Sequence, residues 1–153
     1  MLNRLHPASV HFPIGLLFGA WLFVLGRLFF PALMPEIVVT ISLVLGLISS
    51  IPAVATGLWE LVRVGDSASS EAERTLWWHL GLVGTSVSIF LATLIVYLEG
   101  PILWAVVLST AGVALLVLGA HFGGSLVYKH RIGLDAEDGA APRGENVDAD
   151  GGS

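Results

Sequence analysis

The sequence contains no cysteine and few charged residues. The absence of cysteine excludes disulfides, thiolate nucleophiles, iron–sulfur ligation and cysteine-based zinc sites. Charged residues make up 12% of the chain and hydrophobic residues 55%, whereas soluble domains have about 25% and about 45–50%. The seven Lys and Arg residues are scattered, so no basic patch predicts nucleic-acid binding. We therefore expect an integral membrane protein whose partner is the lipid bilayer.

Sequence motifs of the common hydrolases and nucleotide-binding enzymes are also missing. The chain has no phosphate-binding loop, no H-E-x-x-H zinc motif and no Ser/His/Asp arrangement. We assign no catalytic residue, and the sequence favours a protein that is not an enzyme.

Four apolar segments dominate the chain, at about residues 7–30, 36–63, 76–98 and 101–128. Each has the roughly 20 residues that a helix needs to cross a bilayer. The first run is too long for the core of a cleaved signal peptide. The connections are short, which predicts an all-α, up-down four-helix bundle in the membrane, formed by residues 1–134. Residues 135–153 are acidic and poor in large apolar side chains, so we expect a disordered tail.

The positions of Lys and Arg predict the orientation of the bundle. Four spans place both termini and the connection between the second and third spans on one side. That side carries most of the cations, namely Arg4, Arg63, Arg74, Lys129, Arg131 and Arg143, and the other side carries Arg27. Because positive residues favour the cytoplasmic side, we expect a cytoplasmic-membrane protein with both termini in the cytoplasm.

Histidines gather at the same end of the predicted bundle. His11 begins the first span, His79 lies early in the third and His121 lies late in the fourth. At 1.5 Å per residue they lie about 3–9 Å inside the cytoplasmic boundary. His6 is slightly shallower, and Glu60 ends the second span at that side. Ionisable residues within spans indicate a functional site.

Several ligands fit this histidine pattern. Imidazole binds iron, copper and zinc, so haem b held by two histidines and a small transition-metal site are both candidates. A quinone or proton-handling pocket is a third candidate. Histidines that only line a helix interface, without binding a ligand, would give the same pattern. The residues expected to bind the ligand are His6, His11, His79 and His121, with Glu60 orienting an imidazole and Gly123 and Gly124 making room for the ligand.

Several short motifs together resemble a known bacterial family. They are "HP" at 6–7, "HFPIGLL" at 11–17, "TGLWE" at 56–60, His79, and "GGSLVY" at 123–128 followed by Gly133. This order resembles the membrane-protein family known as domain of unknown function 2231, over about residues 5–134. The resemblance implies a four-helix inner-membrane protein. Some members are joined to Rieske-type iron–sulfur domains, which implies a redox partner. The family usually has aspartate where this chain has Glu60.

The sequence thus favours a redox-associated membrane module that binds haem b or a transition metal. The alternative is a non-catalytic accessory or scaffold subunit of a membrane complex. The redox module is compatible with a Rieske-type partner and with an oligomeric state. A bound quinone or lipid is compatible with either function.

Overall fold

The computed structural model describes residues 5–64 and 69–129, and these form four α-helices. The helices are α1 (Leu5–Phe29), α2 (Glu36–Val64), α3 (Ser70–Glu99) and α4 (Ile102–Tyr128). No strand occurs in these two ranges. The all-α four-helix prediction is confirmed, whereas the predicted tail, residues 135–153, lies outside the described residues.

The four helices form two antiparallel hairpins that pack side by side. The widest interfaces lie within the hairpins α1–α2 and α3–α4, and narrower ones join α1 to α4 and α2 to α3. In the second hairpin, Glu71 pairs with Lys129, and Ser86 bonds to Gly112. Because residue numbers fall on α4 as they rise on α3, the two helices are antiparallel. The narrower interface between α1 and α4 is called the α1–α4 seam below.

Arg27 closes the turn between α1 and α2 at the end of the bundle that carries no histidine. Its Nη1 donates to the carbonyl oxygens of Pro31 at 2.9 Å and Met34 at 3.1 Å. Its Nη2 lies 3.8 Å from Oε2 of Glu36, the first residue of α2. The charge of Arg27 is therefore used locally, as expected for a cation near the end of a span.

Helix α3 begins at Ser70, upstream of the apolar segment that was predicted to start near residue 76. The hydroxyl of Ser69 accepts a hydrogen bond from the backbone N–H of Ala72 at 3.3 Å, which caps the helix. Glu71 and Glu73 in the first turn also favour the helix, because carboxylates stabilise the positive end of the helix dipole. The polar start of α3 is thus helical although it is not apolar.

Small residues of α4 allow α3 to approach closely. A Cβ at Gly112 would lie 3.0 Å from Cε2 of Phe90, and the hydroxyl of Ser86 donates to the carbonyl of Gly112 at 2.8 Å. Phe90 and Ser86 are fully buried. In lipid, helices associate through close packing and interhelical hydrogen bonds rather than through the hydrophobic effect. This interface therefore supplies the kind of contact that holds membrane helices together.

The outward faces of the helices are apolar. All four helices are long and apolar enough to cross a membrane, and only 22–33% of their most apolar stretches is buried inside the bundle. Large side chains such as Leu22, Ile48, Leu91 and Val117 are exposed. Soluble proteins rarely expose such large contiguous apolar surfaces. The bundle therefore presents its apolar faces to the lipid bilayer, as its composition predicted.

Gly46 makes the α1–α2 contact sensitive to a single methyl group. A Cβ there would lie 2.6 Å from Cδ2 and 3.0 Å from Cγ of Leu17, whereas a Cβ at Gly19 would have no atom within 4 Å. We expect Gly46→Ala to destabilise the protein by about 1–3 kcal/mol, because overpacking a close contact forces displacement. Thermal unfolding in detergent measures this. The matched Gly19→Ala variant is expected to unfold at or slightly above the wild-type temperature; equal losses in both would contradict the packing described.

Candidate histidine site

The imidazole of His79 reaches across from α3 to the backbone of α4. Its Nδ1 lies 2.8 Å from the carbonyl oxygen of Gly119. A carbonyl oxygen can only accept, so Nδ1 carries the proton and donates it. In the neutral ring, Nε2 then carries the lone pair, and it makes no hydrogen bond to a residue that the structure describes. The hydrogen bond therefore fixes the ring and leaves Nε2 as the atom that can bind a ligand.

Two glycines one turn apart on α4 let α3 approach closely at the level of His79. A Cβ at Gly123 would lie 2.9 Å from Cε1 and 3.0 Å from Nδ1 of His79. A Cβ at Gly119 would lie 2.8 Å from Cγ2 of Val83, one turn further along α3. Glycine at both positions therefore permits the approach that brings Nδ1 to the carbonyl. Of the predicted glycine pair, Gly123 contacts His79, whereas a Cβ at Gly124 would meet no atom within 4 Å.

His121 and His11 lie on outward faces of their helices, unlike His79. His121 is two residues from both Gly119 and Gly123, which is about 200° around the axis of α4. Its side chain is exposed, and its ring meets Phe122 edge-on, with centroids 5.9 Å apart. His11 is exposed on α1. His79 is half-buried at the helix interface, so His121 and His79 occupy opposite sides of α4.

The three histidines nevertheless lie at one level of the bundle. Nε1 of Trp21 donates to Oγ1 of Thr110 at 3.0 Å, which sets the register of α1 against α4. Because the two helices are antiparallel, we count ten residues back from Trp21 and ten residues forward from Thr110. This brings His11 level with Ala120, the residue before His121. Eleven residues, about three turns, separate Thr110 from His121, so both lie on the α4 stripe that borders the α1–α4 seam. His79 is at this level too, through Gly119.

Glu60 lies further toward the end of the bundle than these histidines. The contact of Leu17 with Gly46 sets the register of α1 against α2. From this register, a rise of 1.5 Å per residue gives the positions of other residues along the bundle axis. The backbone of Glu60 lies about 12 Å beyond the level of His11 and about 4–5 Å beyond the level of His6. His6 is therefore the histidine nearest in level to Glu60. The side chains of both residues lie outside the part of the chain that the structure describes, as does His130.

No three His, Asp or Glu side chains come together as a metal-binding group within the described part of the chain. The structure thus brings His79 to Gly119 and Gly123, and it places His121 beside the α1–α4 seam, with His11 exposed at the same level of α1. The set of four histidine ligands with Glu60 stays a prediction, since two of its members are not described.

Phe122 connects the histidine level to the tryptophans at the start of α3. Its ring stacks on Trp78, with centroids 6.4 Å apart and planes 22° apart. Stacking of this kind fixes the two helices against each other beside His79. Two features of the site are not predicted from the sequence: the stacking of Phe122 on Trp78, and the carbonyl of Gly119 as a hydrogen-bond acceptor. The signal for the latter is the four-residue spacing of Gly119 and Gly123, which places both on one face of a helix.

These observations define a four-helix membrane protein with histidines at one end of its bundle. A family model described as "Predicted membrane protein (DUF2231)" matches residues 3–136. The chain therefore belongs to this family, and the resemblance seen in its motifs is confirmed. Comparison with curated proteins and with solved structures found no match.

Gly123 and Gly124 offer a matched test of the His79 contact. We expect Gly123→Ala to displace the ring, because the new methyl group would lie 2.9 Å from Cε1, and to cost about 1–3 kcal/mol of stability. Gly124→Ala adds the same methyl group where no atom lies within 4 Å, so its unfolding temperature is expected to stay at or above that of the wild type. Thermal unfolding in detergent separates the two. A Gly124→Ala variant as unstable as Gly123→Ala would contradict the arrangement.

Proposed function

We propose that this protein is a redox-associated module of the cytoplasmic membrane that binds haem b or a transition metal at its histidine end. The observation that carries the proposal is the hydrogen bond from Nδ1 of His79 to the carbonyl of Gly119. A metal-bound histidine commonly donates its other ring N–H to a carbonyl or carboxylate, which fixes its orientation. His79 already makes this bond, and its Nε2 has the lone pair that a metal requires.

The donor set suits such a group, with haem b as the simpler fit. Imidazole is a ligand for haem iron and for copper and zinc. A haem needs two axial ligands at most, whereas a protein-held metal ion usually needs three or more side chains. The side chains of His6 and Glu60 lie outside the described part of the chain, so a transition-metal site that includes them stays part of the proposal. When bound, haem or copper would supply electron transfer, and this chain would supply the ligands.

The residues proposed as ligands fall into two groups. His79 is the first candidate, because its ring is held by α4. His121 and His11 are the second, because they lie at the same level of neighbouring helices, with His121 beside the α1–α4 seam, and His6 lies one to two turns further out. Gly123 leaves space for the ring of His79. Glu60 is proposed to orient an imidazole, with His6 the nearest in level.

The proposed orientation places this site toward the cytoplasm. The Lys and Arg residues of the chain favour a cytoplasmic location for both termini. A redox partner such as a Rieske-type iron–sulfur domain, a quinone as electron carrier, and a homo-oligomer are compatible with this role. We propose no catalytic residue.

Visible absorption spectra test the proposal directly. The detergent-purified protein, expressed with haem precursor and metals supplied, is measured oxidised and dithionite-reduced, together with metal analysis. We expect a Soret band with sharp reduced α and β bands, or a stoichiometric metal, and loss of either in His79→Ala. Loss of the cofactor should also lower the unfolding temperature, since a ligand that binds only the folded state stabilises it.

Control variants separate ligation from general damage. Gly124→Ala leaves the His79 contact intact and should keep the cofactor, and His121→Ala and His11→Ala test the second group of ligands. A colourless, metal-free wild-type sample would contradict the proposal. So would a cofactor that remains at full occupancy in all three histidine variants.

A second candidate function is that of an accessory or scaffold subunit of a membrane complex. The same hydrogen bond favours it, because a histidine that joins α3 to α4 through a backbone carbonyl has a structural role without any ligand. For this function, His79→Ala is expected to keep partner binding while it lowers stability. The absorption spectra and metal analysis of wild type and His79→Ala distinguish the two functions, because only the redox module predicts a cofactor that the variant loses.

A further inference from the structure

One face of α3, on the side away from the bundle core, combines charged side chains with tryptophans. It comprises Ser70, Glu73, Arg74, Trp77, Trp78 and Gly81, which surround an open hollow of about 510 Å³. These residues recur every three to four positions and so share one stripe of the helix. We call it the Trp–Arg stripe. Ala72 and Leu76, between its members, are buried.

The length of α3 places the Trp–Arg stripe at the membrane surface. The helix has 30 residues, or about 45 Å, whereas the hydrocarbon core is about 30 Å thick. The apolar part of α3 ends at Leu98, which we take as one edge of the hydrocarbon core. About 20 helical residues cross the core, so its other edge lies close to Trp78 and Trp77. Glu73 and Arg74 then lie at the depth of the lipid headgroups, and tryptophans commonly lie at this boundary.

The two charges of the stripe are not used within the described part of the protein. Glu73 and Arg74 are exposed, and neither makes an ion pair with another described residue. Glu71 on the neighbouring face differs, since Lys129 binds it at 2.6 Å. Among the described residues, one carboxylate and one guanidinium without an ion-pair partner therefore lie next to each other at the headgroup level.

We propose that the Trp–Arg stripe binds the headgroup of a zwitterionic phospholipid that carries a primary ammonium group. The guanidinium of Arg74 matches the lipid phosphate, and the carboxylate of Glu73 matches the ammonium group. The tryptophan indoles add N–H donors for phosphate oxygens and ring faces for the ammonium. The stacking of Trp78 on Phe122 holds one wall of the hollow in place.

Gly81 leaves the hollow open toward the hydrocarbon. A Cβ at this position would have no atom within 4 Å, so nothing blocks the path of the acyl chains from the headgroup into the membrane. The charge pair also selects between lipids, because an anionic headgroup offers a phosphate to Arg74 but no cation to Glu73. The surface thus predicts a preference for the zwitterionic lipid over an anionic one.

Native mass spectrometry of the full chain tests this proposal. The detergent-solubilised protein is given equal amounts of phosphatidylethanolamine and phosphatidylglycerol with identical acyl chains, and retained lipid is counted. We expect phosphatidylethanolamine to be retained roughly three- to fivefold better, the weight of about one exposed ion pair. Glu73→Gln should abolish this preference, and Arg74→Gln should lower the retention of both lipids.

Two variants at the opposite end of the bundle are matched controls. Glu99→Gln removes an exposed carboxylate from the other end of α3, and Trp104→Leu removes an exposed tryptophan from α4. Both are expected to keep the wild-type preference. Equal retention of the two lipids by the wild type would overturn the proposal. A preference for phosphatidylethanolamine that survives in Glu73→Gln would overturn it too.

Discussion

The close approach of α3 to α4 is the constraint on which the rest of the structure depends. Glycines of α4 receive larger side chains of α3 at three levels: Gly112 receives Phe90, Gly119 receives Val83, and Gly123 receives His79. Two hydrogen bonds to backbone carbonyls of α4, from Ser86 and His79, join the same interface. In lipid, such contacts are the main source of helix association. His79 is thus the last member of a packing series as well as the candidate ligand.

This coupling gives the site a physical cause. The ring of His79 is held because the two backbones are close, and they are close because α4 has glycine where other residues would collide with α3. Because the helix interface already holds His79 and Gly119 in place, orienting the imidazole on the carbonyl needs little further loss of conformational entropy. A site built in this way is rigid, which favours metal ligation since ligands must be held near their bound geometry.

The two ends of the bundle differ in chemistry. At one end Arg27 satisfies backbone carbonyls of the α1–α2 turn and pairs with Glu36. The other end carries the histidines, three exposed tryptophans (Trp59, Trp77 and Trp78) and the pair of Lys129 with Glu71. Polar side chains at the first end thus complete the fold. At the second end, His79 Nε2 and the charges of Glu73 and Arg74 have no partner among the described residues, and they are the groups proposed to bind ligands.

The sequence predicted the helices well because runs of apolar residues and short connections leave few other folds in a membrane. It allowed a helix in the later part of the polar segment 65–74 but did not locate the start of α3 at Ser70, since hydropathy does not mark the cap at Ser69. It also could not tell that His79 faces α4 while His121 and His11 face outward. These helices are apolar on all sides, so no amphipathic stripe reports their rotation. For the same reason, the sequence could not show that Gly123 lies against His79 whereas Gly124 faces open space.

The protonation of the two ring nitrogens of His79 tests the central claim most directly. Nitrogen NMR of histidine-labelled protein in lipid, with His79→Gln to assign the signal, distinguishes the protonated from the bare nitrogen. We predict a proton on Nδ1, which donates to the carbonyl oxygen of Gly119, and an Nε2 signal that shifts or broadens when haem or a metal is added. A proton on Nε2 with a bare Nδ1, unchanged by either addition, would contradict it.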